Sequence, residues 1–191
     1  MKTDGADQVY GLVNTAVADL VRHGAGDEGW QAVCARAGVP AVAFVGMTPY
    51  DDDVTYRLVD AAATVLGMSS EQVLRAFGRH WVRYTAEQGW GPLLQFAGAT
   101  LPEVLHGLDA LHARVRLMMP ELQPPSFRCV ALTPTTLQLD YYSERAGLAP
   151  MVVGLVEGLA ELLGERATAT HVRTAVDGHD EFLVRHGDGA T

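Results

Sequence analysis

An α+β domain is the fold this sequence predicts: a helical N-terminal part, then a small antiparallel sheet with a helix packed against it. Three observations predict it. Apolar residues recur at helical spacing through the first 120 positions, period-two alternation follows Pro120, and one further helical stretch separates two hairpin-like pairs. The chain has 191 residues, 48% hydrophobic and 19% charged, which is enough apolar material for one sizeable core. Its 20 glycines and 9 prolines fall short of a disordered composition.

The first eight residues are polar and read as a loose extension. Tyr10, Val13, Val17, Leu20 and Val21 then mark a helix over 8–22, and Trp30, Val33, Cys34 and Ala37 a second that stops near Gly38 and Pro40. A loop over 46–52 contains Pro49, and Asp53 is placed to cap a helix ending at Leu66 before Gly67. Ser69 with Gln72, and Thr100 with Glu103, have the spacing of capping boxes and open helices over 70–85 and 101–118. Between these, Gly89-Trp90-Gly91-Pro92 breaks the chain ahead of a short helix over 93–97, so the first 120 residues read as all-helical.

Pro124-Pro125 enforces an extended segment, after which 126–132 reads as a strand. Thr133-Pro134-Thr135 turns the chain into an alternating stretch over 137–143. The helix over 149–163 has its proline in the first turn, where a missing N–H costs least. Strands over 167–175 and 181–186 are joined by Asp177-Gly178-His179-Asp180.

Charge and composition exclude several classes of function. The chain carries 14 Lys and Arg against 23 Asp and Glu, a net charge of −9, with no basic cluster of the kind nucleic acid requires. The longest apolar runs, 41–45 and 150–156, are too short to span a bilayer, and the first residues lack the apolar core of a signal peptide. Cys34 and Cys129 stand far apart and read as reduced thiols, so a cytoplasmic location is expected and a zinc site is not. Cys129 reads as a packed thiol in preference to a redox-sensitive one, and Asp51-Asp52-Asp53 as a solvated turn in preference to a cation site. No G-x-S-x-G, H-E-x-x-H or Walker sequence is present, and no catalytic activity is expected.

Two features are out of place in a purely structural core. Leu101, Leu105, Leu108, His112, Val115 and Met119 fall at steps of three or four on one helix stripe, so an imidazole sits on an apolar face. Such a residue is more often a core histidine satisfied by a neighbour. The other reading is a metal ligand whose cofactor brings the remaining ligands, as haem does with its four nitrogens. In the second feature, alternation puts Leu137, Leu139, Tyr141, Ser143 and Arg145 on one strand face, if the strand runs that far. A phenol, a hydroxyl and a guanidinium in a row suit an anion with carboxylates, the alternative being a strand that ends in solvent. Together the two describe a haem pocket, with iron at one point and propionates at another. His23, His106, His171, His179 and His186 fall near helix ends, polar faces or turns and read as solvated, and His80 faces away from Trp81 on its helix.

On these residues the chain resembles the haem-nitric oxide/oxygen binding (H-NOX) family, which includes the haem domain of soluble guanylate cyclase. The matching stretches are Tyr10-Gly11-Leu12-Val13-Asn14, Asp53-Val54-Thr55-Tyr56-Arg57-Leu58-Val59, Leu108-Asp109-Ala110-Leu111-His112, Pro124-Pro125-Ser126-Phe127-Arg128-Cys129 and Tyr141-Tyr142-Ser143-Glu144-Arg145. The resemblance implies one H-NOX domain over 10–187, with an N-terminal extension over 1–9 and a tail over 188–191. It implies haem b with His112 as proximal iron ligand, Tyr141, Ser143 and Arg145 on the propionates, and Pro125 pressing on the macrocycle. Asp109, one turn before His112, reads as structural. Oxygen-binding members place a tyrosine at the position held here by Pro150, between Ala149 and Met151, so the resemblance is to the nitric-oxide-selective branch. Trp81, Val13, Val17 and Leu108 are expected to line the pocket, with Trp81 read as packing in preference to donating its indole N–H to a bound ligand. The implied function is a sensor of nitric oxide and CO that signals to a histidine kinase or diguanylate cyclase in trans. A haem-free small-molecule module of related fold, a haem enzyme, and a sensor domain cut from a larger guanylate cyclase or receptor are the alternatives.

Overall fold

The computed structural model describes residues 8–41, 43–120 and 122–187. Of the first eight residues, expected to be loose, 1–7 lie outside the described residues together with the tail 188–191, whereas Gln8 begins a strand. The chain divides into two compact units, 1–77 and 78–191.

In the first unit, strand β1 (Gln8–Tyr10) leads into helix α1 (Gly11–Ala37), and strand β2 (Pro49–Asp51) into helix α2 (Asp52–Leu66). The expectation that the first 120 residues are all-helical is therefore corrected. Gln8, Val9 and Tyr10 pair antiparallel with Asp51, Tyr50 and Pro49, and the Gly11 N–H donates to Thr48 O at 2.8 Å. The close approach has a clear cause: a Cβ on Gly11 would lie 2.2 Å from Val45 O, so only glycine allows the 45–50 segment to lie against the helix start. The two helices expected over 8–22 and from Trp30 onward are both present: the span labelled α1 is two helical stretches that meet at a kink at Gly26, whose φ of 68° and ψ of −172° are not helical. Gly38 and Gly67, both at φ 65°, end α1 and α2 in the left-handed conformation a side chain disfavours. Asp53 is not the cap of α2. The N-cap is Asp51, which makes no side-chain bond there, and Asp53 Oδ2 accepts a 2.8 Å hydrogen bond from Arg57 Nε instead.

Helix α3 (Ser70–Thr85) has the predicted bounds, and its capping box is formed: Ser69 N–H donates to Gln72 Oε1 at 2.8 Å and Gln72 N–H to Ser69 Oγ at 3.2 Å. A π turn over Ala86–Trp90, eased by Gly89 at φ 95°, leads into helix α4 (Gly91–Ala97), two residues longer at its start than expected. Helix α5 (Leu101–Met118) has the predicted bounds, and its capping box is formed. Strands β3 (Ser126–Thr133), β4 (Thr136–Tyr142), β5 (Ala167–Thr174) and β6 (Asp180–His186) make one antiparallel sheet in the order β3-β4-β6-β5, and helix α6 (Ala149–Leu162) lies between the hairpins in sequence.

The core of the second unit lies between one sheet face and the helices. Phe127, Leu137, Leu139, Tyr141, Phe182 and Val184 project from alternate strand positions onto Leu101, Val104 and Leu105 of α5 and Val152, Val156 and Leu159 of α6. The α6 packing is close: a Cβ on Gly78 would lie 2.2 Å from Met151 O, and one on Gly158 would lie 2.9 Å from Arg79 Cα. Arg79 then reaches Glu157, buried on α6, at 2.8 Å through both Nε and Nη2. Among the described residues no helix is long and apolar enough to cross a membrane.

Gly78→Ala forces that Cβ onto backbone, which cannot yield as a side chain would. The expected cost is about 3 kcal/mol of stability, read as a fall in the urea midpoint; a loss below about 0.5 kcal/mol would contradict the packing.

Candidate metal and anion site

Helix α5 carries His112, and its start is held firmly. Glu103 Oε2 accepts from the N–H groups of Ala99 at 2.8 Å and Thr100 at 3.2 Å, which keeps its carboxyl below the usual range. Leu101 N–H donates to Glu165 Oε1 at 3.0 Å. Along the predicted stripe Leu101, Leu105 and Leu108 are buried, whereas His112 and Val115 are half-buried. The stripe is thus buried as far as Leu108, half-buried at the histidine and Val115, and buried again at Met119 just past the helix end.

His112 Nδ1 lies 3.0 Å from the carbonyl oxygen of Pro125. A carbonyl only accepts, so Nδ1 bears the hydrogen and donates, and the Nε2 lone pair is left unused. Among the described residues Nε2 has no hydrogen-bond partner. Burial pushes the imidazole pKa down, the Pro125 bond and the Asp109 charge oppose this, and Arg116 acts with burial. The net direction favours the neutral ring, the form that ligates a metal.

Asp109, one turn earlier on α5, grips the segment that presents Pro125. Its Oδ1 accepts from Phe127 N–H at 2.7 Å, and its Oδ2 from Ser126 Oγ at 3.1 Å. Two adjacent turns of α5 therefore hold three consecutive residues, 125–127, in register with the histidine. The structural role read for Asp109 is this contact. Phe127 continues it: its ring lies 5.7 Å from the His112 ring and 5.2 Å from the Tyr141 ring, an aromatic link that the sequence reading missed.

The donor row differs from the expected strand face. Strand β4 ends at Tyr142, so Ser143 and Arg145 lie in the turn before α6. The cause is local: Ser143 Oγ accepts from Arg145 N–H at 3.0 Å, which turns the backbone out of the ladder. Inward-outward alternation nevertheless persists, with Tyr141 buried, Ser143 and Arg145 half-buried, and Tyr142 and Glu144 exposed. The Arg145 guanidinium also donates to Gln123 O at 3.3 Å through Nη1, which ties the turn to the segment before Pro125.

The remaining candidates are more dispersed. Trp81 is half-buried on α3, Leu108 belongs to the core of the second unit, and Pro150 lies in the first turn of α6. Val13 is half-buried and Val17 buried on α1 of the first unit. Among the described residues no group of three or more His, Cys, Asp or Glu side chains is suited to a metal. The donor set at His112 is a single neutral nitrogen, so it fits a metal that arrives with its own in-plane ligands. That is the chemistry of haem.

Cys129 is not a reactive thiol. Burial, with the Asp140 charge adding to it, raises its pKa to about 11. Alkylation by iodoacetamide at pH 8 should therefore run about a hundredfold slower than for a thiol at the ordinary value, rising as pH approaches 11; labelling at the ordinary rate would contradict this burial. Asp109→Ala strands the Phe127 N–H and should cost about 2 kcal/mol in urea denaturation, with Asp109→Asn retaining part of that.

A model of the haem-NO-binding family matches residues 10–171. Soluble guanylate cyclase gcy-35 of Caenorhabditis elegans is 36% identical over 140 residues, covering 72% of this chain and 20% of that protein. Soluble guanylate cyclase gcy-32 of the same organism is 31% identical over 184 residues, covering 95% of this chain and 26% of that protein. The chain thus spans about a quarter or less of the length of these relatives. Among solved structures, an H-NOX protein from S. oneidensis in the Fe(II)NO ligation state superposes with a TM-score of 0.83 at 19% identity, covering 94% of this chain and all of that one. An oxygen-binding H-NOX domain related to soluble guanylate cyclases gives 0.78 at 18% identity, covering 96% and 97%. With the family match running across most of its length and the fold shared, this chain belongs to the haem-NO-binding (H-NOX) family.

Proposed function

We propose that residues 10–187 act as one haem-based sensor domain that binds nitric oxide and CO and reports their binding to a signalling partner. The observation that carries this reading is His112: a neutral imidazole with Nδ1 held by Pro125 O at 3.0 Å and Nε2 unbonded among the described residues, where its helix stripe is half-buried. In this reading His112 is the iron ligand, Tyr141, Ser143 and Arg145 take the propionates of haem b, and Pro125 presses on the macrocycle. Trp81, Leu108, Val13 and Val17 supply apolar surface. When bound, the group would supply a ferrous iron able to bind a diatomic gas, with His112 as the ligand this chain provides.

The residues of the chain make such binding legible. Pro125 O orients the ring, and Asp109 keeps α5 in step with residues 125–127, so a displacement of His112 is transmitted to β3 as well as along its helix. The gas can shift a partner only if it binds two arrangements of the chain with different affinity. Pro150, which has no N–H and no side-chain donor, leaves that position unable to hydrogen-bond bound dioxygen. This supports nitric oxide over oxygen as the ligand. The module itself performs no catalysis in this reading. The output is that of a histidine kinase or diguanylate cyclase in trans, or of cyclase domains like those of its relatives.

The test is the visible absorption of the dithionite-reduced protein, before and after air, and then after nitric oxide. The expected result is a five-coordinate ferrous spectrum, unchanged by brief exposure to air and shifted by nitric oxide, with His112→Ala losing the native spectrum. A stable oxy spectrum would overturn the nitric oxide selectivity. Absence of a Soret band after haem reconstitution would overturn the haem reading and favour a haem-free small-molecule module.

A further inference from the structure

The turn between β5 and β6 carries a polar cluster that the sensor reading leaves unused. His179 was expected to be solvated, yet its side chain is only 13% exposed. Its Nδ1 lies 2.5 Å from Asp177 Oδ1, its Nε2 lies 3.7 Å from Glu181 Oε1, and its ring is stacked on Tyr142 at 4.6 Å and 27°. Arg173 in turn grips Glu181, with Nε at 3.0 Å and Nη2 at 2.7 Å. On the next rung Asp180 Oδ1 accepts from Thr174 Oγ1 at 2.6 Å and from His171 Nε2 at 2.9 Å, so His171 is also engaged. The His179 hydrogen bond holds the Asp177 carboxyl below its usual range, and the Arg173 hydrogen bond does the same for Glu181.

This cluster lies where the sheet stops supporting the anion-binding turn. The last pair between β4 and β6 is Tyr141 with Asp180, so Tyr142 and the residues after it receive no backbone pairing from β6. The His179 ring takes up that position and meets Tyr142, the residue between Tyr141 and Ser143, ring to ring. Asp177 fixes the imidazole through Nδ1, Glu181 lies beside Nε2 at 3.7 Å, and Arg173 fixes Glu181. The row Arg173, Glu181, His179, Tyr142 is therefore a brace on the outward side of the sheet end whose inward side carries Tyr141.

We propose that His179 is a positioning residue for the 141–145 turn: by stacking on Tyr142 it holds Tyr141, Ser143 and Arg145 in the geometry that grips a carboxylate-bearing cofactor. The proposal rests on the reading of that turn as the propionate site. It makes no use of His179 as a ligand, since the ring faces Tyr142 and two carboxylates.

The experiment is transfer of haem from the loaded protein to excess apomyoglobin, in wild type, His179→Ala, His179→Phe, Arg145→Ala and the Arg145→Ala/His179→Ala double variant. His179→Ala should release haem about fivefold faster, the effect of losing a good cross-strand pair. His179→Phe, which keeps a ring on Tyr142, should stay within about twofold of wild type. In the Arg145→Ala background the same His179→Ala change should add less than about threefold, because one of the three residues it positions is gone. Equal acceleration in both backgrounds, or none in either, overturns the proposal. If the wild-type protein takes up no haem, the site reading fails separately and amide exchange still tests the brace. The Arg145 N–H, bonded to Ser143 Oγ, should exchange about fivefold faster in His179→Ala, and unchanged exchange overturns it.

Discussion

The hydrogen bond from His112 Nδ1 to the Pro125 carbonyl is the contact on which the rest of the site depends, because it decides which nitrogen of the ring can act. An imidazole free to choose its tautomer offers either nitrogen. Held by a carbonyl, it offers only Nε2, aimed away from the 125–127 segment. The geometry requires a carbonyl at a fixed height above α5, and the sequence provides for that in two ways. Pro124-Pro125 makes the approaching chain stiff and extended, and Asp109 pins the next two residues to the same helix.

The second unit is arranged around that contact. Helix α5 is fixed at its start by the capping box and Glu165 and along its length by Leu101, Val104 and Leu105, so its second half can be accessible without fraying. Phe127 is shared between the core and the site: it packs against Tyr141 on one side and faces His112 on the other. Loss of its N–H bond to Asp109 would disturb the ring as well as the backbone. The donor turn at 143–145 is reached through Tyr141, the last inward residue of β4, and is tied back toward Pro125 by Arg145 and Gln123 O. The His112 contact and the 143–145 turn are thus linked through Phe127 and Tyr141 and through Arg145 and Gln123.

Much of this was legible in the sequence because the signals were local. Ser69/Gln72 and Thr100/Glu103 located two helix starts correctly, since a capping box is a contact between residues three apart and needs no tertiary partner. Gly38 and Gly67 marked two helix ends for the same reason. The imidazole on an apolar stripe is a short-range pattern too, and so is the Tyr-x-Ser-x-Arg row, though only Tyr141 of that row lies in the strand. Three features were not legible. The β1–β2 pair is three residues long and looks like helix start and loop until residues some forty positions apart are brought together. Asp53 has the composition of a cap but bonds to Arg57, a choice made by side-chain reach. The alternating pattern ran on into 143–145 after the ladder had ended, because burial alternates there while the hydrogen bonds turn inward to Ser143.

The sequence by itself determined the fold class, the helix and strand order after Gly67, and which residues are candidates for the site, because each follows from periodicity, capping or residue type over a few positions. Only the tertiary structure decided the state of those residues. That His112 presents Nε2, that Asp109 holds Phe127, that Cys129 stays a thiol and that His179 stacks on Tyr142 all depend on partners between 13 and 37 positions away in the chain or on burial by several elements. Such contacts arise when a strand, a turn and a helix reach the same place, and their energies come from desolvation and geometry that no local pattern encodes.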